Sequence, residues 1–198
     1  KNTMNEDKII EDYLSAQLLC VGNLRESSQI IKNIFQKLIS ARDNDQAIYI
    51  MGNGGSASTA THFTSDLLKT SIVKNKKRFK AHSLSDNIPV VLAWANDDEY
   101  NNIFLGQLEN FLKKNDIVIG FSGSGNSENV IKAIEFANTN NATTISLTGK
   151  GGGKLSKISQ INLTVPSDEM LTIETMHLLI CHLITTMIRA DGEPQFSY

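Results

Sequence analysis

AIYIMGNGGSASTATHF, residues 47–63, decides the fold: an apolar strand-like run ends in a Gly/Ser-rich turn and restarts as a helix. The pattern returns at residues 117–134 as IVIGFSGSGNSENVIKAI. Each copy presents free backbone N–H groups and hydroxyls at a helix N-terminus, a ready anion site. Two such cradles at the carboxyl ends of parallel strands suggest a phosphorylated ligand.

Outward from these copies, strand and helix signals alternate. Apolar runs at 47–51, 81–84, 117–121, 143–147 and 161–165 predict strands. Helical spacing predicts helices at 58–68, 89–94, 103–112, 126–137, 153–157 and 169–189. Near-continuous apolar strands between helices imply a parallel sheet covered on both faces. Upstream, residues 6–42 hold no Pro and only Gly22, with apolar stripes at Ile9, Ile10, Tyr13, Leu14, Leu18 and at Ile30, Ile31, Ile34, Phe35, Leu38. They read as two helices broken near 22–28, with Ser27 or Ser28 as the cap of the second. This arm, 1–44, precedes an α/β core, 45–198, in a single domain of 198 residues. Packing of the arm on the sheet and packing on a partner subunit are both open.

Hydrophobic content of 40% and a net charge of −2 fit an ordinary globular chain and argue against generic binding to nucleic acid or an anionic membrane. The one basic run, Lys74 to Lys80, reads as a solvated loop. Cys20 and Cys181 lie within predicted helices without metal-type spacing, so buried reduced thiols are expected. No signal-peptide pattern and no apolar run long enough for a bilayer are read here, so a cytoplasmic location is expected.

The loop Gly52-Asn53-Gly54-Gly55-Ser56 lacks the Gly-Lys-Ser/Thr of a nucleotide P-loop and the GxGxxG order of a dinucleotide site. A tight strand-to-helix turn is its plain alternative. Ser122-Gly123-Ser124-Gly125-Asn126-Ser127 carries three hydroxyls, where a helix cap needs one, and is read as a phosphate grip. The third turn, 147–153, either closes over a ligand or reverses the chain. His62 and Asp66 stand at i, i+4 on the helix after the first loop, a spacing for a metal, for proton transfer or for a plain surface pair. On the last helix, Glu174 and His182 are eight residues apart, about 80° in direction and about 12 Å in rise. A carboxylate on so apolar a helix requires a partner. His177 reads as a core histidine bonded to a backbone carbonyl. Asn96 and Asp97 are either rim residues for a sugar or a helix stop.

The stretches GNGGSASTATHFTSDL, LAWANDDEYNNIF, GFSGSGNSENVIKAI, SLTGKGGGKL and IETMHLLICHLI, in this order, resemble the sugar isomerase (SIS) family and within it the phosphoheptose isomerases. The resemblance implies a three-layer α/β fold with a five-stranded, flavodoxin-like parallel sheet, and a homotetramer with active sites between subunits. It implies interconversion of sedoheptulose 7-phosphate and a glycero-manno-heptose 7-phosphate through an enediol, with one zinc per subunit, for surface polysaccharide.

Carried over by position, Asn53, Gly54, Gly55, Asn96 and Asp97 would touch substrate. Ser122, Gly123, Ser124 and Ser127 would hold its phosphate. His62, Asp66, Glu174 and His182 would be the metal ligands, with Asp66, Glu174 and His182 in proton transfer. Two positions depart from the family: Asp66 stands for a glutamate and Glu174 for a glutamine. Non-catalytic relatives, phosphosugar sensors or partners of a replication initiator, are the alternative reading. Retention of both histidines and two carboxylates favours the enzyme.

Overall fold

The structure, a computed structural model, describes residues 4–197. In chain order the elements are α1 (Glu6–Asn23), α2 (Ser28–Asp43), β1 (Ala47–Met51), α3 (Gly55–Ser65), β2 (Lys80–Ser83), α4 (Ile88–Asp97) and α5 (Leu105–Phe111). There follow β3 (Ile117–Ser122), α6 (Glu128–Thr139), β4 (Thr143–Thr148), α7 (Leu155–Ile158), β5 (Ile161–Thr164) and α8 (Met170–Arg189). The five strands are all parallel, in the order β2-β1-β3-β4-β5. This is the flavodoxin-like arrangement, whose strand order reverses between β1 and β3. The two Gly/Ser turns leave the carboxyl ends of those two strands.

Alternation along the strands separates two cores. Ile48 and Ile50 of β1, with Ile117, Ile119 and Phe121 of β3, face α2, α3 and α8. Tyr49 and Met51 of β1, with Val118 of β3, face α5 and α6. The result is the three-layer arrangement expected from the alternating pattern. Both thiols are free and buried, and burial pushes both pKa values up.

The arm divides. Helix α2 buries Ile31, Ile34 and Leu38 in the core. Helix α1 buries only Cys20 among its described side chains, while its predicted stripe, Ile9 to Leu18, lies exposed. The break falls where predicted, as a 3-10 turn at Leu24–Ser27. Neither serine caps as expected: Ser27 occupies the N-cap without a side-chain bond, and the Ser28 hydroxyl donates back to the Arg25 carbonyl.

The basic segment is a loop as far as Phe79, with Lys80 opening β2, and neighbours tie it down: Lys77 and Lys80 lie on Asp45 at 2.5 and 3.5 Å and Lys74 on Glu193. Helix α8 corrects the expectation that no apolar segment could cross a bilayer. Its 20 residues contain an 18-residue window of mean hydropathy 1.5, which suffices by length and composition. Here Ile173, Met176, Ile180, Ile184 and Ile188 of that helix are buried in the sheet-side core.

Candidate functional site

The chain leaves β1 through Gly52 and Asn53, and Gly54, at φ 54°, turns it into α3. The helix starts at Gly55 rather than at 58, and at Asp66 it changes to a π-turn, Asp66–Thr70, closed by Ser71 N–H donating to the Asp66 carbonyl at 2.8 Å. Such turns are rare and concentrate at functional sites. Asp66 is 8% exposed, and its Oδ2 has no hydrogen-bond partner. An orphaned buried carboxylate oxygen is costly unless something else meets it.

What stands near it are two imidazoles. Helix α8 packs on α3 and brings His182 opposite His62, with the two Nε2 atoms 3.0 Å apart. Asp66 Oδ2 lies 3.6 Å from His62 Nε2 and 3.8 Å from His182 Nε2. Ligands about 2.0–2.1 Å from a tetrahedral metal are spaced by about 3.3–3.4 Å from one another. The trio therefore fits a divalent ion of zinc's type, with the orphaned Asp66 oxygen as its anionic ligand. Three protein donors leave a coordination position open, as catalytic metal centres do.

Glu174 does not join this group. Its half-buried carboxylate lies against Gly55 at the start of α3: a Cβ built on Gly55 would come within 2.3 Å of Glu174 Oε2. One face of α8 thus meets both parts of the first loop's helix, Glu174 its first residue and His182 its last turn. The rise between the two residues thus runs along α3, with Glu174 against Gly55 at its start and His182 against His62 in its last turn.

The second loop is built around a hydroxyl pair, Ser122 Oγ and Ser127 Oγ at 2.8 Å. Ser127 occupies the N-cap of α6 yet makes no side-chain cap bond, so the first-turn N–H groups of α6 are left to other acceptors. Ser124 Oγ accepts from Asn126 N–H at 3.1 Å, and Asn126 Oδ1 accepts from Lys154 N–H at 2.9 Å. That brace keeps Asn126 in the loop, so α6 begins at Glu128 and not at 126. Gly125, at φ 67°, lets the third turn press in: a Cβ there would lie 2.0 Å from the Gly152 carbonyl oxygen. The third turn is therefore packed onto the second.

The sequence profile of the SIS domain family matches residues 13–149. A phosphoheptose isomerase of Helicobacter pylori strain P12 is 37% identical over 185 residues, 93% of this chain and 96% of that protein. The chain belongs to the SIS domain family. A probable phosphoheptose isomerase of Thermoplasma acidophilum is 36% identical across 93% of this chain and 98% of its own length. A solved phosphoheptose isomerase from Francisella tularensis superposes with TM-score 0.88 at 28% identity, covering 93% of this chain and 98% of that one.

Within this SIS domain, Asn96 and Asp97 end α4, where Asn96 Nδ2 donates to Asp97 Oδ1 at 2.7 Å. Asp97 lines an open groove of about 490 Å³ with Val90, Ala93, Trp94 and Asp98, whereas Asn53 and Gly54 line a separate cleft of about 110 Å³. His177 is the core histidine expected: its Nε2–H donates to the Thr148 carbonyl at 3.1 Å, and burial lowers its pKa to about 4. Sequence reasoning missed Asn129 and Tyr100. Both bond to Asn53, at 2.9 and 2.7 Å. Neither stands in a spacing that signals chemistry; only the fold brings them to the first loop.

Proposed function

We propose that the protein is a phosphosugar aldose–ketose isomerase that interconverts sedoheptulose 7-phosphate and D-glycero-D-manno-heptose 7-phosphate. The observation that supports it best is the convergence of His62, Asp66 and His182 beside two Gly/Ser loops, in a chain whose full-length relatives are phosphoheptose isomerases. Ser122, Gly123, Ser124 and Ser127, with the N-terminus of α6, hold the phosphate. Asn53, Gly54 and Gly55 face the sugar, with Asn96 and Asp97 at the rim.

Isomerisation moves one proton between adjacent carbons and one between their oxygens, through an enediol. Glu174 is the carboxylate outside the trio, so it takes the carbon-bound proton and returns it to the neighbouring carbon. The oxygen side falls to the trio. His182 carries the oxygen-bound proton there; a zinc ion held by His62, Asp66 and His182, when bound, would polarise that oxygen in its place. A sensor or scaffold would leave this arrangement without a role.

The same reading includes a homotetramer in the cytoplasm, supplying heptose for surface polysaccharide. The exposed apolar face of α1, with Leu14, Leu18 and Leu19 each more than half exposed, supports burial against other subunits. Purified protein incubated with sedoheptulose 7-phosphate tests the central claim. Formation of the aldose phosphate is expected, and no conversion at any metal loading would sink it.

A further inference from the structure

Asn53 cannot rotate freely at the mouth of the first loop, because a chain of hydrogen bonds of fixed direction ends on it. The chain begins at a backbone group. Val130 N–H donates to Asn129 Oδ1 at 2.9 Å, and a backbone N–H has no other role, so that atom of Asn129 is its oxygen. Asn53 Nδ2 lies 2.9 Å from the same oxygen and must donate to it. Asn129 Nδ2 then donates back to Asn53 Oδ1 at 2.9 Å, closing a reciprocal carboxamide pair. Tyr100 Oη, 2.7 Å from Asn53 Oδ1, is left as a second donor.

Both lone pairs of Asn53 Oδ1 are thereby occupied, and one of its two amide hydrogens. One N–H remains for a ligand. Asn129 is 2% exposed, so the pair is anchored in the core of the β3 side, while Asn53 belongs to the β1 side. The bonds cross the point where the strand order reverses.

We propose that Asn129 and Tyr100 are positioning residues that fix the polarity of Asn53, so that it meets the sugar only as a donor. The sugar atom opposite Asn53 is then an acceptor, a hydroxyl or carbonyl oxygen. This rests on the reading that Asn53 faces a phosphosugar.

A double-mutant cycle tests it, with Asn129→Ala and Tyr100→Phe made in the native chain and in Asn53→Ala, each assayed with sedoheptulose 7-phosphate for kcat and KM. Loss of a positioned hydrogen bond is worth about tenfold in affinity. Asn129→Ala is expected to raise KM about tenfold and Tyr100→Phe roughly threefold, each falling below about twofold once Asn53 is alanine. Tyr100 is 53% exposed and phenylalanine keeps its ring, so this variant folds even if Asn129→Ala is weakened. Losses that persist unchanged in the Asn53→Ala background, or no loss in either single variant, overturn the proposal. If the native protein neither converts nor binds sedoheptulose 7-phosphate by calorimetry, the functional reading falls first and takes this one with it.

Discussion

His62 and His182 are 120 residues apart in the chain, yet their Nε2 atoms lie 3.0 Å from each other, over a buried Asp66 oxygen that has no other partner. Two imidazole nitrogens at that distance share one hydrogen or one metal. The carboxylate beside them argues for the metal, because its orphaned oxygen supplies charge to a cation held by both rings.

Removal of a metal ligand is therefore expected to show in content and rate together. His182→Ala should lower bound zinc from about one per chain to a small fraction and reduce kcat on the order of 100-fold or more. Elemental analysis alongside the isomerase assay checks it. Full zinc content in the variant would remove His182 from the ligand set.

Asp66 and Glu174 are assigned different work, so their amides should fail differently. Asp66→Asn should lose zinc along with activity. Glu174→Gln should keep zinc and still lose about 100-fold or more in kcat, because an amide cannot accept the carbon-bound proton. Undiminished turnover by Glu174→Gln would transfer the role of base to Asp66.

The sequence carried the sheet because each of its signals is local. Alternation in Ile48-Tyr49-Ile50-Met51 and the Gly/Ser punctuation after β1 and β3 are set by neighbours along the chain, and both strand-to-helix turns lie at that punctuation. His62 and Asp66 were legible for the same reason, being one helical turn apart. What was not legible depends on where α8 lies. The i, i+8 relation of Glu174 and His182 fixes a rise but no target, and only packing sends one to Gly55 and the other to His62. Asn129 and Tyr100 are hidden likewise, since their meaning is a partner, Asn53, 76 and 47 residues away.

Gly55 and Gly125 separate function from stability. Alanine at Gly55 would meet the Glu174 carboxylate, the movable end of a long side chain, with Oε2 at 2.3 Å. Stability should change by less than about 1 kcal/mol, since alanine also suits a helix better than glycine. Displacement of Glu174 should nevertheless cost kcat about tenfold or more. Alanine at Gly125 meets a backbone carbonyl at 2.0 Å with φ at 67°, neither of which can yield cheaply. It should lose at least about 2 kcal/mol in urea unfolding. A Gly55→Ala enzyme of native activity would place Glu174 outside the reaction.

His177 makes folding sensitive to acid. Burial lowers its pKa to about 4, against about 6.5 in the unfolded chain. As pH falls below about 6.5 the unfolded chain takes up this proton first, so the stability from keeping the ring neutral is complete above that pH. It drains between about 6.5 and 4, a loss on the order of 3 kcal/mol once the folded form also titrates. His177→Gln keeps a donor for the Thr148 carbonyl but cannot titrate. Urea midpoints measured from pH 7 to pH 4 should fall less steeply in the variant than in the native chain, the carboxylates and the other histidines being common to both. Parallel slopes would show that the ring is not held neutral, and that Thr148 binds an imidazolium instead.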